Sequence, residues 1–323
     1  MPTTPWRAAK WIKSGEATPF WKMGIFCIRM NRDIGDEVQP VVVGIDTGIR
    51  KEAYTVKSKT STYINIQADT IYGIKDKLYS RASARRHRRG RKTPYRKCRY
   101  NRASYRKSFI PPSVKARWDF RISMLEKLKS VFPITNIITE DIRAISREGQ
   151  SKWNKCFSPL QTGKRYGIAK FEQISKLTLI SGIDTAKLRE QYGLIKSSDK
   201  LSDKFEAHCI DSWVMANSIL NSTLDNKKIF YLSPIYFFRR RLHFVCFTKG
   251  HKRKALGSTR SLGFKRGSII IHKKYGKCYV GGSSNNRITL CDLSNGERIS
   301  RDIRIEDCEF VCFNRFKFRY DRC

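Results

Sequence analysis

The sequence predicts an α/β fold followed by a small antiparallel β domain, and three observations predict it. Val41, Val42, Val43 and Ile45 in VQPVVVGIDTG form a continuous apolar run, the mark of a strand buried on both faces. Two strand patterns, a helix, a second β-branched run and more helices then follow in the order of an α/β layer. From about residue 226 the style changes to short strands separated by Gly, Asn and Lys turns.

In chain order, Ala8, Ala9, Trp11 and Ile12 predict a short amphipathic helix ended by Gly15, with a strand from Ile25 to Met30. After the run at 41–45, AYTVKS and TYINIQAD read as strands two and three of a meander. In SVKARWDFRISMLEKLKSVF, Trp118, Ile122, Leu125 and Leu128 fall on one helical stripe. ITNIITEDI is a strand. Residues 144–182 are polar and read as irregular, with SPLQTGK inside them as a plain loop or a nucleic-acid contact. Asp184 or Thr185 can cap a helix AKLREQY that stops at Gly193. KFEAHCIDSWVMANSIL reads as a helix burying Phe205, Ile210, Val214 and Ala216. IFYL, LHFVCF, GSIIIHKK, KCYVGG, RITLCDL and CEFVCF are the short strands of a small antiparallel barrel or sandwich.

The net charge of +38, with 40% hydrophobic residues, describes a folding chain that needs a polyanion to neutralise it. Nucleic acid is the first candidate and a membrane surface the rival. No apolar run approaches the roughly 18 residues of a membrane span, so the chain is expected in the cytoplasm without a membrane partner. The ten cysteines include no CxxC, which argues against a zinc ribbon or knuckle and against a disulfide scaffold. Cys308 and Cys312 share a strand face and read as core residues.

Three carboxylates stand in unusual settings. Asp46 ends one apolar run and Glu140 another, while His208 and Asp211 lie a turn apart on one helix face. A carboxylate at the end of a buried strand is costly unless it is paired or metal-bound. If the three converge, divalent cations relieve their repulsion. Two such ions can activate a water and stabilise a leaving oxygen in phosphodiester cleavage, with His208 helping to take the proton. Taken singly, each acid also fits a solvated surface group. GIDTG also resembles the phosphate loop of the sugar-kinase and actin superfamily, whose second Asp-Gly loop has no counterpart here.

The order GIDTG (44–48), RRHRR (85–89), ITEDI (138–142) and HCIDSW (208–213) resembles the split RuvC nuclease of the transposon-encoded IscB and IsrB proteins. RRHRR fits the family's Arg-Arg-x-Arg-Arg signature, and MPTTPWRAAKWIKSGEA is similar to its N-terminal PLMP motif. The resemblance implies an RNase H-like RuvC domain split by an Arg-rich bridge helix, with a C-terminal β domain that meets RNA and a target-adjacent DNA motif. It implies metal-binding acids at Asp46, Glu140 and Asp211, with His208 beside them, holding two Mg²⁺ ions for which Mn²⁺ can substitute, and no zinc. No His lies between Glu140 and His208, so an HNH site cannot be built there. That favours the IsrB-like branch: an RNA-guided DNA endonuclease nicking the non-target strand, monomeric, partnered by a guide (omega-type) RNA and a double-stranded DNA target. The expected segments are 1–35 (PLMP-like module), 36–80 (first RuvC segment), 81–107 (bridge), 108–225 (second and third RuvC segments) and 226–323 (β domain). Two rivals are a non-catalytic RNA- or DNA-binding transposon remnant and a guide-independent RuvC-type junction nuclease.

The bridge segment SARRHRRGRKTPYRKCRYNRASYRK carries twelve Lys or Arg among 25 residues and no acid. On a helix, Arg85, Arg86, Arg88 and Arg89 cover most of the circumference and leave no apolar stripe, so the helix lies in solvent or between phosphates. Arg91, Lys92, Arg96, Lys97, Arg99 and Arg102 extend the charge, and Tyr95, Tyr100 and Tyr105 can stack on bases. A disordered basic tail is the plainer alternative. Arg239, Arg240 and Arg241 read equally as a nucleic-acid face or as a charged strand edge.

Overall fold

The computed structural model describes residues 2–22, 24–33, 35, 39–71, 73–92, 110–141, 159–235 and 260–320. The chain forms two compact units: Glu37–Ile229 with Met1–Pro2, and Thr3–Asp36 with Phe230–Cys323. No helix among the described residues is long and apolar enough to cross a membrane.

In the first unit, β3 (Val41–Asp46), β4 (Lys51–Lys57) and β5 (Thr62–Asp69) form the expected antiparallel meander. β6 (Ile134–Glu140) pairs with β3 in parallel, and β7 (Lys176–Ile180) pairs with β6 in parallel. These strands run β5-β4-β3-β6-β7, which is RNase H-like order. All six residues of β3 are buried because the strand sits inside the sheet with both faces covered. The fold is therefore α/β with a mixed central sheet, as the run at 41–45 predicts.

Helix α2 (Ile74–Lys92) contains the Arg-rich motif, and it begins before the expected start at 81. Among its described side chains none is buried. Helix α3 (Pro112–Lys129) buries Ile122, Leu125 and Leu128 of the expected stripe, with Trp118 partly buried, and it also buries Phe120, Arg121 and Met124. The reading of 144–182 as irregular is corrected where the structure describes it. Helix α4 (Pro159–Ile174) and β7 occupy 159–180, so SPLQTGK runs into a helix rather than forming a loop. Gly163 and Gly167 lower the helix propensity of α4, which hid it from sequence. Both glycines face Trp118, and a Cβ at Gly167 would lie 2.0 Å from the indole Cε3. Helix α5 (Gly182–Gln191) is capped by Ser181, whose hydroxyl accepts from the Asp184 N–H, so neither Asp184 nor Thr185 is the cap. It ends at Gly193, which holds φ +63°.

Helix α6 (Cys209–Asn217) is shorter than the apolar pattern predicts, and every one of its residues is buried. His208 is its N-cap, with φ −135°. Polar contacts set the helix on the sheet. The Ser212 and Thr55 hydroxyls are 2.8 Å apart, and Trp213 Nε1 donates to Thr62 Oγ1 at 3.1 Å. Lys57 Nζ donates to Asn217 Oδ1 at 2.6 Å and to Ser222 Oγ at 2.8 Å. Gly44 makes the approach possible, since a Cβ there would lie 1.9 Å from the Ser212 carbonyl oxygen.

The second unit opens with helix α1 (Pro5–Lys13), N-capped by Thr4 and followed by Gly15 at φ +74°. The hairpin β1 (Ala17–Lys22) and β2 (Ile25–Met30) follows, its first strand not anticipated from sequence. A five-stranded antiparallel sheet joins β11 (Ser268–His272), β12 (Gly276–Ser284), β13 (Arg287–Cys291), β14 (Arg298–Ile303) and β15 (Cys308–Phe313) in the order β14-β13-β12-β11-β15. Its core is Ile270, Cys278, Val280, Ile288, Leu290 and Ile303, with Cys308 packed against it. β8 (Ile229–Pro234) and β16 (Phe316–Tyr320) pair antiparallel, and β9 (Arg260–Ser261) pairs with β10 (Phe264–Lys265). The predicted strand LHFVCF lies outside the described residues.

Candidate active site

The topology gathers the acids. β3 and β6 are adjacent and parallel, so their C-terminal residues, Asp46 and Glu140, emerge at the same sheet edge. Helix α6, pressed onto Gly44, brings in Asp211 from its first turn. Asp46, Asp211 and His208 are buried, and Glu140 is partly buried.

Burial raises the Glu140 pKa, and the charges of Asp46 and Asp211 raise it further, while Lys196 and Arg189 pull it down. The three carboxylates therefore feel one another. The Glu140 head group rests against the first turn of α5, where a Cβ on Gly182 would lie 2.5 Å from Oε1.

His208 is held between two acceptors. Its Nδ1 lies 3.3 Å from Asp46 Oδ2 and its Nε2 lies 2.9 Å from the Lys200 carbonyl. The ring satisfies both only when it donates from both nitrogens, that is, as imidazolium. Burial opposes that charge, but the hydrogen bonds to Asp46 and to Lys200 outweigh it, and the His208 pKa is raised.

Asp211 is met by two cations, Arg189 of α5 on Oδ1 and Lys196 on Oδ2. Behind Asp46 lies a second charged cluster. Glu52 is fully buried, and Arg121 Nε donates to its Oε1 at 2.7 Å while Tyr54 donates its hydroxyl to Oε2 at 2.8 Å. Arg121 also donates to the Gly48 carbonyl at 3.3 Å and stacks 4.6 Å from the Trp118 ring. Burial raises the Glu52 pKa against the pull of Arg121. Sequence reasoning missed Arg189, Lys196, Glu52 and Arg121. Of these, only Arg121 left a trace, as a charge inside the apolar helix face FRISML.

All donors of the acid trio are carboxylate oxygens, which suits a hard divalent cation, and their mutual repulsion is what such a cation relieves. Among the described residues, no three His, Cys, Asp or Glu side chains stand together as a metal-holding group. Two of the Asp211 contacts that a cation would need are those made by Arg189 and Lys196.

Of the expected nucleic-acid residues, Arg85 and Arg86 are exposed on α2. Arg88, Arg89, Arg91 and Lys92 lie on the same helix, their side chains outside the described set. Tyr95, Arg96, Lys97, Arg99, Tyr100, Arg102, Tyr105, Arg239, Arg240 and Arg241 lie outside the described residues.

Comparison with known families then bears on the region holding Asp46, RRHRR and Glu140. Residues 1–151 match the RRXRR protein family. The RRXRR match ends before His208 and Asp211. No curated protein matches the sequence. Among solved structures, the chain is similar to Thermus thermophilus RuvC in complex with a Holliday junction substrate, at 12% identity over 55% of this chain and 90% of that one, TM-score 0.30. It is similar to the yeast mitochondrial Holliday junction resolvase Ydc2, at 14% identity over 57% and 80%, TM-score 0.29. A CRISPR-Cas12f ternary complex shows 12% identity over 68% of this chain and 49% of that one, TM-score 0.31.

Proposed function

We propose that the chain is a divalent-metal-dependent nuclease whose active site is built from Asp46, Glu140 and Asp211. The observation that carries this reading is geometric: the adjacent parallel strands β3 and β6 end in Asp46 and Glu140 at one sheet edge, and α6, packed on Gly44, carries Asp211 in its first turn. The RRXRR match over Asp46, RRHRR and Glu140 supports it. Asp46, Glu140 and Asp211 would hold Mg²⁺, which when bound supplies an activated water and a counter-charge for the leaving oxygen. Asp46 is oriented by His208, whose two nitrogens are both engaged, so His208 acts here as a positioning group rather than as the base. Gly182 leaves room for Glu140 to present its carboxylate at the helix start.

The finer reading is an RNA-guided nickase of the IsrB type. The exposed arginines of α2 would grip the phosphates of guide RNA and guide–target duplex, leaving target choice to base pairing. The protein would act as a monomeric ribonucleoprotein on double-stranded DNA carrying a flanking motif read by the second unit. The test is a plasmid-nicking assay with Mg²⁺ and the RNA that co-purifies. Asp46→Ala is expected to abolish nicking while RNA binding persists. Nicking that survives in purified Asp46→Ala protein refutes the site, and nicking that needs no RNA leaves the junction-nuclease alternative in its place.

A further inference from the structure

Asp211 differs from the other two acids in having a cation on each oxygen. Arg189 lies on Oδ1 and Lys196 on Oδ2, with the Asp211 side chain 7% exposed and the two cations 21% and 35% exposed. The buried end of this contact is fixed and its cationic ends reach toward solvent.

The local chain is built to bring both cations there. Helix α5 ends in a paired-hydrogen-bond turn around Gly193: Gly193 N–H donates to Glu190 O at 3.0 Å and Leu194 N–H to Arg189 O at 2.9 Å. Gly193 takes φ +63°, which reverses the chain at little steric cost. The reversal places Lys196 beside the last helical turn that carries Arg189. Both cations also act on Glu140, so they counter the acid group as a whole and not Asp211 alone. Three carboxylates face two partly exposed cations and one imidazole.

If Asp211 ligates a divalent ion, its carboxylate has to hold that ion beside the like charges of Arg189 and Lys196, and that repulsion favours release of one of the two head groups. The displaced head group then sits at the edge of the same site, where the incoming phosphodiester is the available anion. We infer that Arg189 and Lys196 form a displaceable cation pair that competes with the divalent ion for Asp211 and passes to the substrate phosphate when displaced. This inference rests on the proposed active site and adds to it a metal-linked exchange.

The test is calorimetric titration of Mn²⁺ into the full chain, comparing wild type with Arg189→Gln, Lys196→Gln and Asp46→Asn. Removing one competitor is expected to tighten Mn²⁺ binding by up to about fivefold, about what the loss of one partly exposed ion pair allows. The same glutamine variants are expected to bind a fluorescent DNA duplex less tightly with Mn²⁺ present. Arg189→Lys, which keeps the charge, is expected to restore the wild-type affinity for Mn²⁺. It also serves as the readout if Arg189→Gln melts early. A fixed structural ion pair predicts the reverse pattern: lower Tm with Mn²⁺ affinity unchanged or weaker in both glutamine variants, and that result overturns the exchange. Asp46→Asn separates the two levels. Mn²⁺ binding that needs Asp46 but ignores Arg189 and Lys196 overturns the exchange alone. Binding that survives Asp46→Asn undiminished, or is missing in wild type, overturns the active site and the exchange with it.

Discussion

Glu52→Gln is the sharpest probe of how the first unit holds the sheet edge that carries Asp46 and Glu140. Glu52 is fully buried and Arg121 is 8% exposed, so neither charge has water to fall back on. In the wild type, Arg121 has the Glu52 carboxylate at 2.7 Å, the Gly48 carbonyl at 3.3 Å and the Trp118 ring at 4.6 Å. Glutamine keeps the shape and can still accept from Tyr54, but it leaves the guanidinium uncompensated. The carbonyl and the ring return about 1 kcal/mol each, while orphaning a buried charge costs about 3–5 kcal/mol. The net expectation is a loss of about 1–3 kcal/mol, seen in urea unfolding followed by tryptophan fluorescence. Because Arg121 also tethers Gly48, two residues beyond Asp46, nicking should fall with it. Glu52→Leu combined with Arg121→Met removes both charges and is expected to recover most of the stability, though not the tether. A Glu52→Gln protein within 0.5 kcal/mol of wild type would refute the reasoning, since on this scale it implies that the pair carries no net charge interaction.

Four further expectations follow from particular contacts. Gly44→Ala sets a Cβ 1.9 Å from a backbone carbonyl of α6 and should cost more than about 3 kcal/mol or abolish folding, read by thermal melting. Gly182→Ala instead meets the far end of the Glu140 side chain at 2.5 Å; Glu140 swings away, so nicking should drop at least about tenfold with Tm nearly unchanged. Lys57 is fully buried and its pKa is pushed down to about 8, chiefly by burial. Between pH 8 and 10 the unfolded chain therefore holds more protons than the folded one, so stability should rise with pH by at most about 1.4 kcal/mol per unit. Lys57→Met should flatten that rise, and an unchanged slope in the variant would count against it. Replacing Arg85 and Arg86 by Gln should lower the salt slope of log K for duplex binding by about 2, one unit per lost phosphate contact. An unchanged slope would place both arginines away from phosphate.

The elements legible in the sequence were those whose signal is local. The run Val41–Ile45 announces a strand buried on both faces, and the positions of Asp46 and Glu140 at the ends of such runs follow directly. The stripe on α3 was legible for the same reason. Helix α4 was not, because its glycines at 163 and 167 serve a partner: Trp118 fills the space their missing side chains leave. A propensity reading penalises those glycines, while the packing of α3 on α4 requires them. The apolar pattern at 204–220 misled in the opposite direction, overrunning the helix at both ends. Nine buried residues form α6; the flanking Phe205, Ala207 and Leu220 are buried outside the helix, and Ile219 is exposed.

The same contrast explains which site residues stayed hidden. Asp46, Glu140 and Asp211 are unusual where they stand in sequence, since an acid beside an apolar run needs a reason. Arg189 and Lys196 are ordinary where they stand, in a polar segment of a chain with a net charge of +38. Their importance arises only when Gly193 turns the chain and brings Lys196 to the Asp211 carboxylate that Arg189 of α5 already meets. In so basic a protein, counting positive charge identifies the kind of partner but cannot rank the cations. What distinguishes these two is not their charge but the buried carboxylate they have been given, and that is set by the turn after α5 and by the packing of α6 on Gly44. Shifting that turn by inserting one residue after Gly193 should therefore uncouple Lys196 from Asp211 while leaving the acid group in place. Mn²⁺ binding of the insertion variant should then resemble that of Lys196→Gln, and wild-type affinity in that variant would show that the turn does not set the contact.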